Sequence, residues 1–312
     1  MHKQNLLPVA VGVIKNAAGQ ILIALRNPTL HQGGLWEFPG GKLETGESAF
    51  QALVRELKEE LDIDVNSATP LITIRHQYPK IAVQLQVFLV EDFSGVAKSA
   101  EGQPIAWVSP SALTDFAFPA ANKPIIIAAQ LPATYAILDD SQPDALWGNL
   151  QILLAKGVKL IQARLKRLSA SELEAFIAKA YPLCQQHQAL LLMNSAVTAG
   201  LPLITDGVHL TSHDLLALSA RPAACRWLAA SCHNLQELQH AQRIGVDFAV
   251  LAPVLATPTH PERQGMGWDV FTDLVAQVNM PVYALGGMGL ADVDKACSVG
   301  GQGIAAIRSL LG

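Results

Sequence analysis

The sequence predicts two folds in tandem: an α+β unit, a mixed sheet with helices, over residues 1–130, and a (β/α)8 barrel over residues 134–312. Three observations carry this. At 312 residues the chain exceeds the size at which single hydrophobic cores stop growing. Its first third mixes strand-like runs with one strongly patterned helix. From residue 134 the texture changes to eight short apolar runs separated by helix-length segments.

Taken in order, the apolar runs at 9–14, 21–25, 71–75, 83–90 and 105–108 are bounded by Gly, Pro or Asn and read as strands. A helix over 48–61 follows the turn at Gly46, with Ser48 or Thr45 as its cap. A second helix fits 122–130 after Pro119, and LPAT (131–134) makes a short linker. Beyond it the apolar runs fall at 134–138, 160–164, 189–194, 207–210, 227–231, 248–254, 281–287 and 303–307. Amphipathic stretches such as 170–186, 235–243 and 270–278 lie between them. An open doubly wound sheet has the same local texture, and it is the count of eight that favours a closed barrel.

Composition narrows the function classes. The formal net charge is −4 and no long Lys/Arg run is present, which argues against direct nucleic-acid binding while leaving room for a small polyanion in a locally basic pocket. The apolar segment near the N-terminus soon meets Lys15, Asn16 and Gly19, so it has the length of a strand rather than of a signal peptide or membrane span. The cysteines Cys184, Cys225, Cys232 and Cys297 show no C-x-x-C spacing, the pattern of free thiols in a reducing cytoplasm rather than of a zinc site.

The chemistry concentrates in RELKEEL (55–61). On a helical wheel Glu56, Glu59 and Glu60 share one arc of about 100°, beside the face formed by Leu53, Val54, Leu57 and Leu61. Glu56 and Glu60 are a like-charge i, i+4 pair, and Arg55 to Glu59 and Lys58 to Asp62 run in the less favourable cation-first order. Intrahelical pairing therefore does not account for the stripe, whereas a shared hard divalent cation does.

Upstream, Glu37-Phe38-Pro39-Gly40-Gly41-Lys42 leads into the spacing G-x5-E-x7-REL-x-EE-x-DI, counted from Gly41. This resembles the Nudix box, departing from it only where Asp62 replaces a late Gly, a difference that touches the end of the helix and not the acidic stripe. Glu101-Gly102-Gln103-Pro104, Trp107 and Phe118-Pro119-Ala120-Ala121-Asn122 extend the resemblance to the MutT type over nearly all of residues 8–130. The resemblance implies hydrolysis of 8-oxo-dGTP or a similar oxidised purine triphosphate to the monophosphate and pyrophosphate. It implies Mg2+, with Mn2+ as a substitute, held by Glu56, Glu59, Glu60 and the Gly40 carbonyl, with Glu101 completing or orienting the catalytic set. Glu56, Glu101 and Lys42 would be catalytic. Arg26 and Lys42 would meet phosphate, Glu37 would be substrate-binding, and Phe38 and Asn122 would line the purine pocket. For Asn122, helix capping and base readout stay open.

In a barrel, active groups belong at the C-terminal ends of strands. Those ends offer Gln162, Arg164 and Lys166; Asn194; His209; Ser231 and His233; Thr257, Thr259 and His260; and Gly286, Gly287 and Gly289. The glycine turn suits a phosphate cradle of backbone N–H groups, and Arg164 and Lys166 supply charge for a second anion. Q-x-R-x-K (162–166), GVHL (207–210), S-x-H (231–233), GVDF (245–248) with APV (252–254), TPT (257–259) and Gly286-Gly287 resemble thiamine phosphate synthase and its relative TenI. That resemblance implies a thiamine-pathway phosphate as ligand. The chain departs from it where Asn194-Ser195 replaces Asn-Asp and His260 replaces Lys, leaving Asp214 as the one carboxylate for a metal. Synthase chemistry, proton transfer by His233 on a phosphorylated thiazole, and ligand sensing all stay open, as does Nudix cleavage of a thiamine-related diphosphate.

Overall fold

The computed structural model describes residues 6–29, 32–197, 204–223, 225–256 and 264–312. The predicted site residues Thr257, Thr259 and His260 lie outside these described residues. The chain divides into two compact units, residues 1–130 and 131–312.

The first unit runs β1 (Leu6–Ile14), β2 (Ile21–Leu25), β3 (Trp36–Glu37), β4 (Gly40–Lys42), α1 (Ala49–Leu61), β5 (Asp64–Gln77), β6 (Ala82–Ser94), β7 (Ile105–Val108) and α2 (Lys123–Gln130). Two sheets form, in the orders β4-β1-β6-β5 and β3-β2-β7. The β1–β6 pair is parallel and the β4–β1 and β5–β6 pairs are antiparallel, so the larger sheet is mixed. Strand β1 is apolar on both faces because it is inside the molecule on both faces. Ala10 and Ile14 pack with Leu53, Leu57 and Leu61 of α1, whereas the intervening Val11 and Val13 join Phe38 and Ile125 in a second cluster.

Ser48 caps α1 in a capping box: its side chain accepts from the Gln51 N–H while the Gln51 side chain accepts from the Ser48 N–H. At the other end Asp62 adopts the left-handed conformation, φ 54°, that the family pattern assigns to Gly. Asp is among the few residues that tolerate it. Lys98 and Lys58 sit 2.7 and 2.9 Å from its carboxylate, and their hydrogen bonds hold the Asp62 carboxyl down at about 2. The replacement of Gly is thus accommodated without unwinding the last turn, whose Lys58 carbonyl accepts from the Asp62 N–H at 3.0 Å.

The second unit runs β8 (Thr134–Asp139), α3 (Leu146–Ala155), β9 (Leu160–Arg164), α4 (Ala170–Gln186), β10 (Leu190–Asn194), β11 (Gly207–Leu210), α5 (Ser212–Ala217), β12 (Trp227–Cys232), α6 (Leu235–Ile244), β13 (Phe248–Leu251), α7 (Gly267–Val275), β14 (Val282–Leu285), α8 (Val293–Ser298) and β15 (Gly303–Ala306). The eight strands close into a barrel, each parallel to its neighbours, with β15 pairing back onto β8. Alternation along β8 explains the layering. Ala136 and Leu138 face the apolar shell under α3 and α4, while Tyr135 points into the barrel. Tyr135, Phe248 and Tyr283, all near strand starts, pack edge-on or tilted at 5.4–5.7 Å and fill the bottom of the barrel. Polar side chains occupy the layer above them. No helix among the described residues is long and apolar enough to cross a membrane.

Candidate functional sites

In the first unit, β4 and α1 build the site together. Gly40 has φ 143°, a conformation reserved for Gly, and its N–H donates to Glu60 Oε2 at 3.1 Å. At Gly41 the constraint is space: an added Cβ would sit 2.0–2.2 Å from the carboxylate atoms of Glu56. The two glycines therefore let the acidic face of α1 lie directly on the strand. Gly41→Ala is expected to push the Glu56 carboxylate aside and to cut nucleotide turnover at least ~10-fold. Its stability cost should be small, since the displaced atoms end a flexible side chain. Kinetics paired with a denaturant melt would check both, and unchanged turnover would argue against any working role for Glu56 in this position.

Arg55 ties the site down. Its guanidinium donates to both Glu47 oxygens at 3.0 Å, to Glu56 Oε1 at 2.8 Å, to Glu59 Oε2 at 3.3 Å and to the Lys42 carbonyl at 3.0 Å. The loop carrying Glu101 is laced to the end of α1: the Ala100 N–H and Gln103 Nε2 both donate to the Glu60 carbonyl, at 3.0 and 3.2 Å. Glu101 is thereby brought within the electrostatic reach of Glu60. Burial, with the negative charges of Glu37, Glu56 and Glu101, pushes the Glu60 carboxyl up to about 8 against the help of the Gly40 N–H. Arg26 pairs directly with Glu37, although burial still raises the Glu37 carboxyl.

These are the features of a site that lacks positive charge at its centre. Among the described residues no three His, Cys, Asp or Glu side chains converge into a ready-made metal cage. Glu59 is turned onto Arg55 and is more than half exposed. A hard cation such as Mg2+ nevertheless needs only one or two carboxylates, with water and phosphate in its other positions. The oxygen donors of Glu56 and Glu60 meet that requirement. Lys42 is exposed on β4. Phe38 is only 3% exposed and stacks on Phe118 at 5.3 Å, and Asn122 is 7% exposed where a 3-10 turn meets α2. Sequence reasoning missed Glu47 as the main partner of Arg55, although the box spacing contains both. It also missed Tyr78, whose phenol feels the charges of Arg26 and Glu37.

In the second unit a pocket of about 620 Å³ opens at the C-terminal ends of the strands. Arg164, Lys166, Asn194, His209, Ser231 and His233 line it together with Gly286 and Gly287. Arg308 and Ser309 also line it and were overlooked, though they follow the last strand by the same rule that found the others. His233 Nδ1 meets the Ala252 carbonyl at 2.8 Å. In the neutral ring this leaves Nε2 as a free acceptor. Gly286 and Gly287 both have positive φ, while the N–H of Gly289 is taken by Asp292 at 2.9 Å. Asp214 accepts from the Ser195 hydroxyl and from Thr211 Oγ1 at 2.8 Å, and these bonds hold its carboxyl below the usual carboxylate range. Its Oδ2 is thus occupied by protein donors.

The first unit has the build of a carboxylate-dependent hydrolase, and the second that of a ligand-binding (β/α)8 barrel. The NUDIX domain family profile matches residues 10–128, and that of thiamine monophosphate synthase matches residues 134–310. The 8-oxo-dGTP diphosphatase of Escherichia coli (strain K12) is 39% identical over 120 residues, 38% of this chain and 93% of that protein. The enzyme of the same name from Proteus vulgaris is 42% identical over 102 residues, 33% of this chain and 91% of its own. A provisionally named thiamine-phosphate synthase 2 of Aquifex aeolicus (strain VF5) is 32% identical over 184 residues, 58% of this chain and 99% of that one. The chain belongs to the Nudix hydrolases through its first unit and to the thiamine monophosphate synthase family through its second.

Proposed function

We propose that the first unit hydrolyses 8-oxo-dGTP or a similar oxidised purine nucleoside triphosphate to the monophosphate and pyrophosphate, with Mg2+ as cofactor and Mn2+ as a substitute, in the cytoplasm. The observation that carries this reading is the half-buried Glu60 on the Gly40 N–H, within the electrostatic reach of Glu37, Glu56 and Glu101, with Arg55 holding Glu56 in place. A divalent cation bound there would neutralise phosphate oxygens and make bound water easier to deprotonate. Glu56 is the base or orienter of the attacking water, with Glu101 contributing from the loop tied to the Glu60 carbonyl. Lys42 and Arg26 hold the phosphates, and the Phe38–Phe118 stack backs the wall on which Asn122 meets the purine edge, both donating and accepting.

The barrel, on the same reading, takes a phosphorylated thiamine-pathway compound. The protein donors on Asp214 favour a monophosphate ligand, with His233 as a proton carrier or with no chemistry at all, over Mg2+–diphosphate condensation. A substrate screen of the full chain with Mg2+ tests both halves. 8-oxo-dGTP should exceed dGTP, ADP-ribose and a pyrimidine diphosphate in kcat/KM by at least ~10-fold, about the net worth of one hydrogen bond. Pyrimidine diphosphate with thiazole phosphate should yield no thiamine phosphate. ADP-ribose as best substrate would sink the first reading, and thiamine phosphate formation would sink the second.

A further inference from the structure

Five polar side chains thread the barrel interior beneath the pocket. Asn194 Nδ2 lies 3.1 Å from Gln162 Oε1, Gln162 Nε2 lies 3.2 Å from the Tyr135 hydroxyl, that hydroxyl lies 3.0 Å from His209 Nδ1, and His209 Nε2 lies 2.8 Å from Ser231 Oγ. Asn194, Gln162, Tyr135 and His209 are each at most 3% exposed. Ser231 is the member that is partly open, and it lines the pocket together with Gln162, Asn194 and His209.

Amide and imidazole groups in isolation could be turned either way. Here one end is fixed by a group that can only donate: the Ala196 backbone N–H gives its hydrogen to Asn194 Oδ1 at 3.2 Å. The Asn194 amide nitrogen must then donate to Gln162 Oε1, and Gln162 Nε2 must donate to Tyr135. The Tyr135 hydrogen is left with one acceptor among the described residues, His209 Nδ1, since an unpaired buried hydroxyl hydrogen would cost more than the bond. His209 therefore carries its proton on Nε2 and donates to Ser231 Oγ. Burial, with the charge of Arg164 nearby, pushes His209 down to about 3, so the ring stays neutral and keeps one tautomer.

We infer that Asn194, Gln162, Tyr135 and His209 form a one-way hydrogen-bond chain that fixes the Nε2–H tautomer of His209 and leaves the Ser231 hydroxyl hydrogen free to donate into the pocket, so that a ligand presenting an acceptor, a ring nitrogen or phosphate oxygen, is favoured at that point. Tyr135 is a positioning residue, acting on Ser231 through His209, while Gln162, Asn194 and His209 also line the pocket themselves. The part of this that concerns the ligand rests on the proposed reading of the pocket; the direction of the chain does not.

Histidine labelled with 15N in the full chain reads the direction without any ligand. His209, picked out of the nine histidines by comparison with His209→Asn, should show a protonated Nε2 and bare Nδ1 between pH 5 and 8. In Gln162→Glu the side chain, where a carboxyl 13C shift shows it ionised, can only accept, so the Tyr135 hydroxyl turns to it and the His209 proton moves to Nδ1. In Tyr135→Phe the tautomer lock is gone and both forms should appear. Ser231→Ala should keep the wild-type tautomer while weakening binding of a phosphorylated hydroxyethylthiazole about 10-fold. An Nδ1–H or imidazolium His209 in the wild type overturns the inference. So does a pure Nε2–H tautomer retained in folded Gln162→Glu with its carboxylate ionised or, should that variant not fold or stay protonated, in Tyr135→Phe. The expected tautomers in a wild type that does not bind the thiazole probe would uphold the chain and remove the ligand reading alone.

Discussion

Glu56→Gln should lower kcat for the preferred nucleotide by about 10²–10⁴-fold, the usual contribution of a general base, without unfolding the protein. The amide has the carboxylate's shape, so it fits the same space against Gly41, and its oxygen can still accept from Arg55. What it loses is charge and basicity. The stability effect should run opposite to the activity effect. Glu60 is half-buried and feels the charge of three other carboxylates, and neutralising one of them relieves repulsion in the cation-free protein. With a chelator present, the variant's first-unit transition should come at or above that of wild type; with Mg2+ added, wild type should gain more, because a ligand stabilises only the state that binds it. Turnover within ~10-fold of wild type would remove Glu56 from the mechanism. A melting temperature equally sensitive to Mg2+ in both proteins would remove it from the cation site. A pattern of lost activity with retained or raised stability is what strained functional sites produce.

The parts of this protein that were legible in sequence are those in which local chemistry and tertiary role agree. The glutamate helix has its cap, its apolar face and its acidic stripe within one short window, and Ser48 caps it as its position suggests. The eight runs of the second unit could be counted because strands buried on both faces need no alternation, and their closure into a ring separates the barrel from the open sheet. Where pairing rather than pattern sustains a strand, the reading fell short. Strand β5 begins at Asp64, well before the run at 71–75, because its polar first half is held by the opposite strand through a ladder with three register shifts. Strands β3 and β4, two and three residues long, carry no period to read.

The same distinction holds for the sites. Arg26 and Glu37, assigned separately, meet in one ion pair, and the residues at the barrel ends gather round one pocket. Tyr135, the hub of the buried chain, left no sign of its role. It lies in an apolar run near the start of β8, where a tyrosine reads as packing, and it does pack against the rings of Phe248 and Tyr283. Its hydrogen-bond partners, Gln162 in β9 and His209 in β11, are set only by the register of the closed barrel.

Arg55→Lys is the second large effect expected, a loss of about 10²-fold in kcat/KM, at the upper end of what support residues around a catalytic site contribute. Charge is conserved in this change, so a purely electrostatic account would predict little. Geometry predicts more. The guanidinium reaches Glu47 with two nitrogens, Glu56 and Glu59 with a third, and the Lys42 carbonyl besides, so one planar group fixes the loop before α1 and two carboxylates upon it. An ammonium has three donors on a flexible stem and cannot span that set. The hydrogen bonds to Glu47 and then Glu56 also raise the Arg55 pKa, so the cation is permanent at any working pH. With Lys in its place Glu56 gains rotamer freedom, and the loss should fall mainly on kcat and on the Mg2+ concentration giving half-maximal rate, with KM for nucleotide nearly unchanged. A Mg2+ titration of initial rates separates the two accounts: an unshifted midpoint with near-normal kcat would reduce Arg55 to a surface ion pair, whereas a raised midpoint identifies it as the residue that holds the acidic face of α1 in working order.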